Sequence, residues 1–160
     1  TSSGSRVAKP VILIDTREQL PYELPNFTTR LATLATGDYS LEGHENSVAV
    51  ERKTKEDAYG CVGGSRKRFV ECLHRLAEMR RCCIVIECTF PEFLVPPPYT
   101  RINGAQAAGS FISWSCQFNI PVFWPGGRAI SERVTIRWLA AYLKHVAGAS
   151  DGFHNTTKHS

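Results

Sequence analysis

Thr36-Gly-Asp-Tyr-Ser-Leu41, followed after a polar loop by Val48-Ala-Val-Glu-Arg-Lys53, is the stretch from which the rest of the chain can be read. From Val48 and Val50 through Glu51, Arg52 and Lys53 the side chains alternate with a period of two, the mark of a strand. Successive side chains of a strand point to opposite faces, so Glu51 and Lys53 share one face and Arg52 takes the other. A strand starting at Tyr39 pairs antiparallel with it across the loop Glu42–Ser47, and that hairpin carries Asp38 back beside Glu51 and Lys53. Gly37 permits a backbone conformation other residues avoid, which would turn Asp38 inward.

Two carboxylates that converge on one point repel unless a cation lies between them. Hard oxygen ligands left partly open to water suit Mg²⁺, with Mn²⁺ as a substitute. A lysine two residues from such a carboxylate can orient an attacking water or offset charge in the transition state. The pattern therefore points to phosphodiester hydrolysis. The same residue types also suit a solvated strand end with a surface ion pair, and the short spacing alone does not separate the two.

The longer string, Gly37-Asp38 and then Glu51-Arg52-Lys53 with Asp57 four residues on, resembles the GDxnERKx3D motif of the XPF-type structure-specific endonucleases, a branch of the PD-(D/E)xK nuclease superfamily. Ile14-Asp15-Thr16-Arg17-Glu18 is similar to that family's opening strand, hydrophobic residues followed by D-x-R-E. Cys72 to Glu87 is similar to its helix and the strand ending in I-E, and Trp124-Pro125 fits a late strand. The resemblance runs in order over residues 10–147. It implies an α/β fold, a restriction-endonuclease-like α/β/α sandwich with a central mixed sheet. It implies that Asp38, Glu51 and the backbone carbonyl of Arg52 hold Mg²⁺, that Lys53 positions or activates the water, and that Asp57 supports the site. The Arg52 side chain is expected to be structural. Asp15 and Glu18 are further candidates for the metal cluster; the competing reading has Asp15 capping a turn and Glu18 pairing with an arginine.

The resemblance also implies a substrate, branched, flap or fork DNA in repair or recombination, and a homo- or heterodimer formed through the late strand and the C-terminal helix. Two alternatives stand beside it. One is a catalytically silent DNA-binding or dimerisation module; inactive partners in that family typically lose the D and E–K groups, and Asp38, Glu51, Lys53 and Asp57 are all present here. The other is a restriction-type or recombination nuclease, since substrate choice sits in loops and appended domains. The tandem helix-hairpin-helix module usual in the family has no counterpart in these 160 residues, which weakens the substrate reading more than the nuclease reading.

At 160 residues, 42% of them hydrophobic, the chain fits one domain, placed at 10–147. Residues 1–9 read as an expression scar or disordered leader, and 148–160, with His154 and His159, as a flexible tail. The net charge of +4 is compatible with a polyanionic partner without identifying one. Arg66, Lys67 and Arg68 open a helix read over 66–81, with Phe69, Cys72, Leu73, Leu76 and Met79 as its apolar stripe. Cations at a helix N-terminus oppose its dipole and call for an anion, for which DNA phosphate is the candidate; Arg66 and Arg68 are preferred. The 6 cysteines show neither CxxC nor zinc-finger spacing, which points to reduced thiols and an intracellular chain, nuclear if eukaryotic and cytoplasmic if bacterial or viral. No apolar run approaches the ~20 residues of a membrane-spanning helix, so no membrane partner is expected.

The remaining expectations are coarse. Val11–Ile14 and Thr29–Leu34 read as strands, Gln19–Pro25 as a loop, and Thr54 as the N-cap of a helix with Asp57 at its third position. Tyr59–Ser65 reads as a glycine-bearing loop, and His44 as a solvated loop residue. Cys82–Cys88 reads as a buried central strand ending at Glu87, which should pair with Arg52 or Lys53 or border the metal cluster. Thr89–Tyr99, with four prolines, reads as loop, Asn103–Asn119 as a helix packed through Ala107, Phe111, Trp114 and Phe118, Ile120–Trp124 as a strand and Ala129–Val146 as a long helix.

Overall fold

A computed structural model describes residues 9–148. All but Lys9 of the expected leader and all but Gly148 of the expected tail therefore lie outside the described residues. The elements in order are β1 (Val11–Asp15), β2 (Thr28–Ala32), β3 (Tyr39–Leu41), β4 (Val48–Lys53), α1 (Lys55–Val62), α2 (Arg66–Ala77), β5 (Arg81–Ile86), α3 (Phe90–Phe93), α4 (Gly104–Phe118), β6 (Val122–Phe123) and α5 (Arg128–Tyr142), continued by a π-helical turn, Leu143–Ala147. Among the described residues no helix is long and apolar enough to cross a membrane.

The strands form one mixed sheet in the order β2-β1-β3-β4-β5-β6. β3 runs antiparallel to both β1 and β4, and the pairs β1–β2, β4–β5 and β5–β6 are parallel. The strand alternation splits the core in two. Ala49, Ile84 and Ile86 face a cluster built with α1, α2 and α4, centred on Leu73, Leu76, Phe93, Phe111 and Trp114. Val48, Val50, Cys83 and Val85 face the other side, where Leu139, Tyr142 and Leu143 of the C-terminal helix cover them. A sheet clad by helices on both faces is the expected α/β/α sandwich.

Because β1 and β4 both oppose β3, the carboxyl ends of β1, β4 and β5 lie at one edge of the sheet, together with the start of β3. Crevices at such strand ends are where α/β sheets place ligands. The turn into β3 depends on Gly37, whose φ is +83° and where an added Cβ would lie 2.8 Å from the Ala49 Cβ. Any other residue would be strained by its backbone and would collide with β4.

Four local expectations are corrected. Tyr59–Val62 is helical: α1 runs through Gly60, because a good Thr54 cap and the burial of Ala58, Tyr59, Cys61 and Val62 outweigh the roughly 1 kcal/mol cost of a helical glycine. α2 stops at Ala77 rather than Arg81, since Arg81 must already pair with Val48 in the sheet; Met79 keeps a partly buried place against the core. The proline segment contains a helix, α3, started by a reciprocal Thr89–Glu92 capping box with Pro91 in the first turn, where a missing N–H costs nothing. His44 is half-buried, its Nδ1 3.0 Å from the Tyr142 hydroxyl and its ring edge-on to Tyr142.

Candidate active site

β4 divides its charges between the two faces of the sheet. On the side of α1 and α2, Glu51 is 8% exposed and its Oε2 lies 3.3 Å from Lys53 Nζ. The Lys53 ammonium stands 5.1 Å from the centre of the Phe69 ring, a cation over an aromatic face. Asp38, half-buried at the start of β3, accepts the Arg52 backbone N–H through Oδ2 at 2.8 Å. Its own N–H donates to the Val50 carbonyl at 2.8 Å. A strand residue directs its N–H and C=O to the same side. The Arg52 carbonyl therefore points, like its N–H, toward Asp38, one step beyond Val50, the last residue of β4 that pairs with β3.

The electrostatics of this face are unresolved by the protein alone. Burial, and then the Glu51 carboxylate, push Asp38 up to about 8. Burial likewise raises Glu51, against the attraction of Lys53. Burial would lower Lys53, but Glu51, Cys61 and Asp38 together outweigh it and hold the ammonium above its usual range. Among the described residues two buried acids thus crowd one lysine, and the largely exposed Arg17 acts on both only at longer range. Among the described residues no three His, Cys, Asp or Glu side chains gather closely enough to cage a metal by themselves.

The opposite face is centred on the Arg52 guanidinium. Arg52 reaches Glu87 through two contacts, Nε to Oε2 at 2.6 Å and Nη2 to Oε1 at 3.2 Å. Its Nη1 donates to the Leu20 carbonyl at 2.9 Å and lies 3.1 Å from Glu18 Oε2, out of line for a hydrogen bond. The Tyr22 hydroxyl donates to Glu87 at 2.7 Å, and the Tyr22 ring stacks on Tyr39 with 5.1 Å between centres. Burial would raise Glu87, but Arg52 and Tyr22 outweigh it and hold it below the ordinary glutamate range. This network ties the loop after β1 and the end of β5 to the strand that carries Glu51 and Lys53.

The other expected residues divide. Asp15 is 2% exposed and fully engaged: Arg17 contacts both oxygens, and the Leu34 N–H donates to Oδ1 at 2.8 Å. Glu18 is drawn to Arg52. Asp57 is exposed; its N–H donates to Thr54 Oγ1, and its side chain borders a cleft of about 310 Å³ with Lys53, Ser65, Arg68, Phe69 and Arg75. Arg66 lies 4.8 Å from the Trp114 ring centre and donates to Ser110 Oγ, Arg68 donates to Ser65 Oγ, and Lys67 is exposed. Arg68 is thus beside Lys53, whereas Arg66 opens onto a second groove shared with Ile102. Sequence reasoning passed over Tyr22, Phe69 as a partner of Lys53, and Arg75 as a wall of the cleft. Only Arg75, two helical turns along α2 from Arg68 and on the same face, carried a signal in its spacing.

A family model, the ERCC4 domain, matches residues 14–141. The solved structure of XPF from Aeropyrum pernix aligns with a TM-score of 0.65 at 22% identity, over 85% of this chain and 66% of that one. XPF from Aeropyrum pernix in complex with DNA gives a TM-score of 0.61 at 22% identity, over 89% of this chain and 68% of that one. No curated protein sequence matches significantly. This chain thus spans about two thirds of the length of the solved relatives.

Proposed function

The chain belongs to the ERCC4 domain family, as an XPF-type nuclease domain, and from that premise we propose that it is a metal-dependent DNA endonuclease acting near branch, flap or fork points. The observation that carries the proposal is the pairing of Glu51 with Lys53 at 3.3 Å on one face of β4, with Asp38 brought beside them so that two acids crowd one ammonium. Two carboxylates and an outward-turned backbone carbonyl make an all-oxygen set of the kind that suits Mg²⁺, which keeps several waters and takes few protein ligands. Asp38, Glu51 and the Arg52 carbonyl would hold the ion. When bound, it supplies Lewis-acid polarisation of the scissile phosphate and lowers the pKa of water.

The chain's own groups do the positioning. The Lys53 ammonium orients the attacking water and offsets charge as it develops on the phosphate oxygens. Phe69 and Glu51 fix its place. Arg68 and Arg75 line the cleft that leads from Lys53 and offer phosphate contacts there, while Arg66 borders the neighbouring groove and Lys67 is exposed between them on the first turn of α2. The Arg52 side chain holds the strand end rigid from the far face. We leave Asp15 and Glu18 out of the metal set because arginines already engage their oxygens. We further propose dimerisation through β6 and α5. Ile130 is 43% exposed there, and a groove of about 210 Å³ bordered by Trp138, Ala141 and Val146 stands open on the same helix.

The test is cleavage of labelled single-stranded, duplex, 3′-flap and fork DNA in Mg²⁺, Mn²⁺ or EDTA, beside folded Asp38→Ala and Lys53→Ala proteins. Metal-dependent cutting at the junction, lost in both variants, is the expected result. Equal cutting of every substrate removes the junction preference, and binding without cutting replaces the enzyme by a binding module. Light scattering over a concentration series tests the dimer.

A further inference from the structure

Among the described residues, seven large hydrophobic side chains are exposed, and four of them, Leu20, Leu94, Val95 and Tyr99, sit on the segments that leave the carboxyl ends of β1 and β5. That edge also carries Asp38, Lys53 and the start of α1. The extreme case is Tyr99, whose relative exposure is 104%. Its φ is +72°, a left-handed conformation that a bulky side chain seldom adopts and that costs conformational energy. Pro96, Pro97 and Pro98 precede it and stiffen the approach.

The segment is also held firmly at both ends. Phe93 is fully buried and its carbonyl accepts the Tyr59 hydroxyl at 2.5 Å. Lys55 Nζ donates to the Val95 carbonyl at 3.0 Å, two residues after Lys53. The chain passes so close to α4 that a Cβ at Gly104 would fall 1.9 Å from the Leu94 carbonyl oxygen. Beyond Tyr99, Ile102 packs into the groove that Arg66 borders. A strained, stiffened and anchored segment thus holds an aromatic ring entirely in water. Burial of that ring would stabilise the chain, so nothing in its own folding accounts for the arrangement.

We propose that Tyr99 is a stacking platform for an unpaired nucleobase of the DNA strand whose phosphates lie along Lys53, Lys55 and Arg68. The inference rests on the nuclease reading and deepens it. Cations on the same strand-end edge as an exposed ring, one of them (Lys55) bonded to the segment that carries it, match a single strand, with phosphates on the former and a base face on the latter. Base faces are available only where the duplex is open. Tyr99 would therefore give the domain a preference for forks and flaps of its own, without a separate duplex-gripping module.

The experiment measures binding in Ca²⁺, by anisotropy, of a fork with an unpaired arm and of a blunt duplex. The fork carries 2-aminopurine at successive unpaired positions. Tyr99→Ala is expected to weaken fork binding roughly tenfold and to relieve the 2-aminopurine quenching at one position. Tyr99→Phe should stay within about twofold of the parent, and duplex affinity should be unchanged for both. Equal fork affinity in Tyr99→Ala, or an equal loss on fork and duplex, overturns the proposal. Cleavage by the parent protein in Mg²⁺, scored in parallel, separates the two readings. Cutting with unaltered Tyr99→Ala affinity removes the stacking role alone. No cutting with a lost fork preference keeps the stacking role and removes the nuclease.

Discussion

Glu51, Arg52 and Lys53 are consecutive, yet the two faces they serve follow opposite electrostatic rules. On the Arg52 face the charges balance two against two: Glu87 and Glu18 stand against Arg52 and against Arg128, which lies over the Tyr22 ring and acts on Glu87, with the Leu20 carbonyl and the Tyr22 phenol completing the network. On the Glu51–Lys53 face two acids share one ammonium and proton affinities climb. The period of a β-strand allows this, since neighbours one residue apart never meet. The difference teaches that burial of charge is not in itself a sign of function. A buried network with its partners complete is scaffolding, and a buried cluster with a surplus of one sign is a place prepared for something else.

The comparison breaks first under activity. Asp38→Ala or Lys53→Ala should lower metal-dependent cleavage by about 10³-fold or more with little loss of fold, read by single-turnover cutting beside thermal melting. If either variant cuts at a comparable rate, the surplus-charge face is not the catalytic one. Stability should then separate the faces in opposite directions. Arg52→Ala strands buried Glu87 and should cost about 3 kcal/mol in urea unfolding. Asp38→Asn, measured without divalent ions at neutral pH, should stabilise the chain by on the order of 1 kcal/mol, because it removes an acid that must take up a proton to be buried beside Glu51. Destabilisation by both would erase the contrast.

Acidity sharpens it further. The Asp38 carboxyl is raised in the folded state, so its contribution is fully present below the unfolded value of 3.8 and is lost as pH rises toward about 8. Glu87 is lowered, so its contribution is present above its ordinary 4.5 and is lost as pH falls through its folded value. Metal-free urea titrations from pH 2 to 8 should show stability declining with pH above the ordinary carboxylate range in the parent and flattening there in Asp38→Asn. Glu87→Gln should instead flatten the acid limb. A smaller effect is expected at the cap of α1. Thr54→Ala should cost about 1 kcal/mol by chemical denaturation, without altering either pH slope.

Where the chain's own periodicity decided a structure, it was readable. Val48–Lys53 and its hairpin partner, the stripe of α2, the run at Cys82 and the cap at Thr54 all place themselves, and the face-sharing of Glu51 and Lys53 follows from parity alone. What escaped depended on partners distant in sequence. Gly60 is neutral evidence until the burial of its neighbours is known. His44 looks like loop until Tyr142 arrives from the last helix, and Tyr22 looks like a turn residue until Arg52 and Glu87 surround it. Pro91 argues against helix only if it falls after the first turn, and the Thr89–Glu92 box decides that it does not. The acids at Asp38 and Glu51 could be placed from sequence, but their rivalry depends on a burial that no local pattern states.

The hairpin also sets an order in time. The bond from the Arg52 N–H to Asp38 spans 14 residues, whereas the Arg52–Glu87 contact spans 35 and Tyr22–Glu87 spans 65. Short loops close first at the least entropic cost, so the repelling pair forms early and its supports late. The rate-limiting step of refolding should therefore already feel the repulsion. Asp38→Asn should speed refolding more than it slows unfolding, and a folding limb that does not move in stopped-flow would place the hairpin after the barrier.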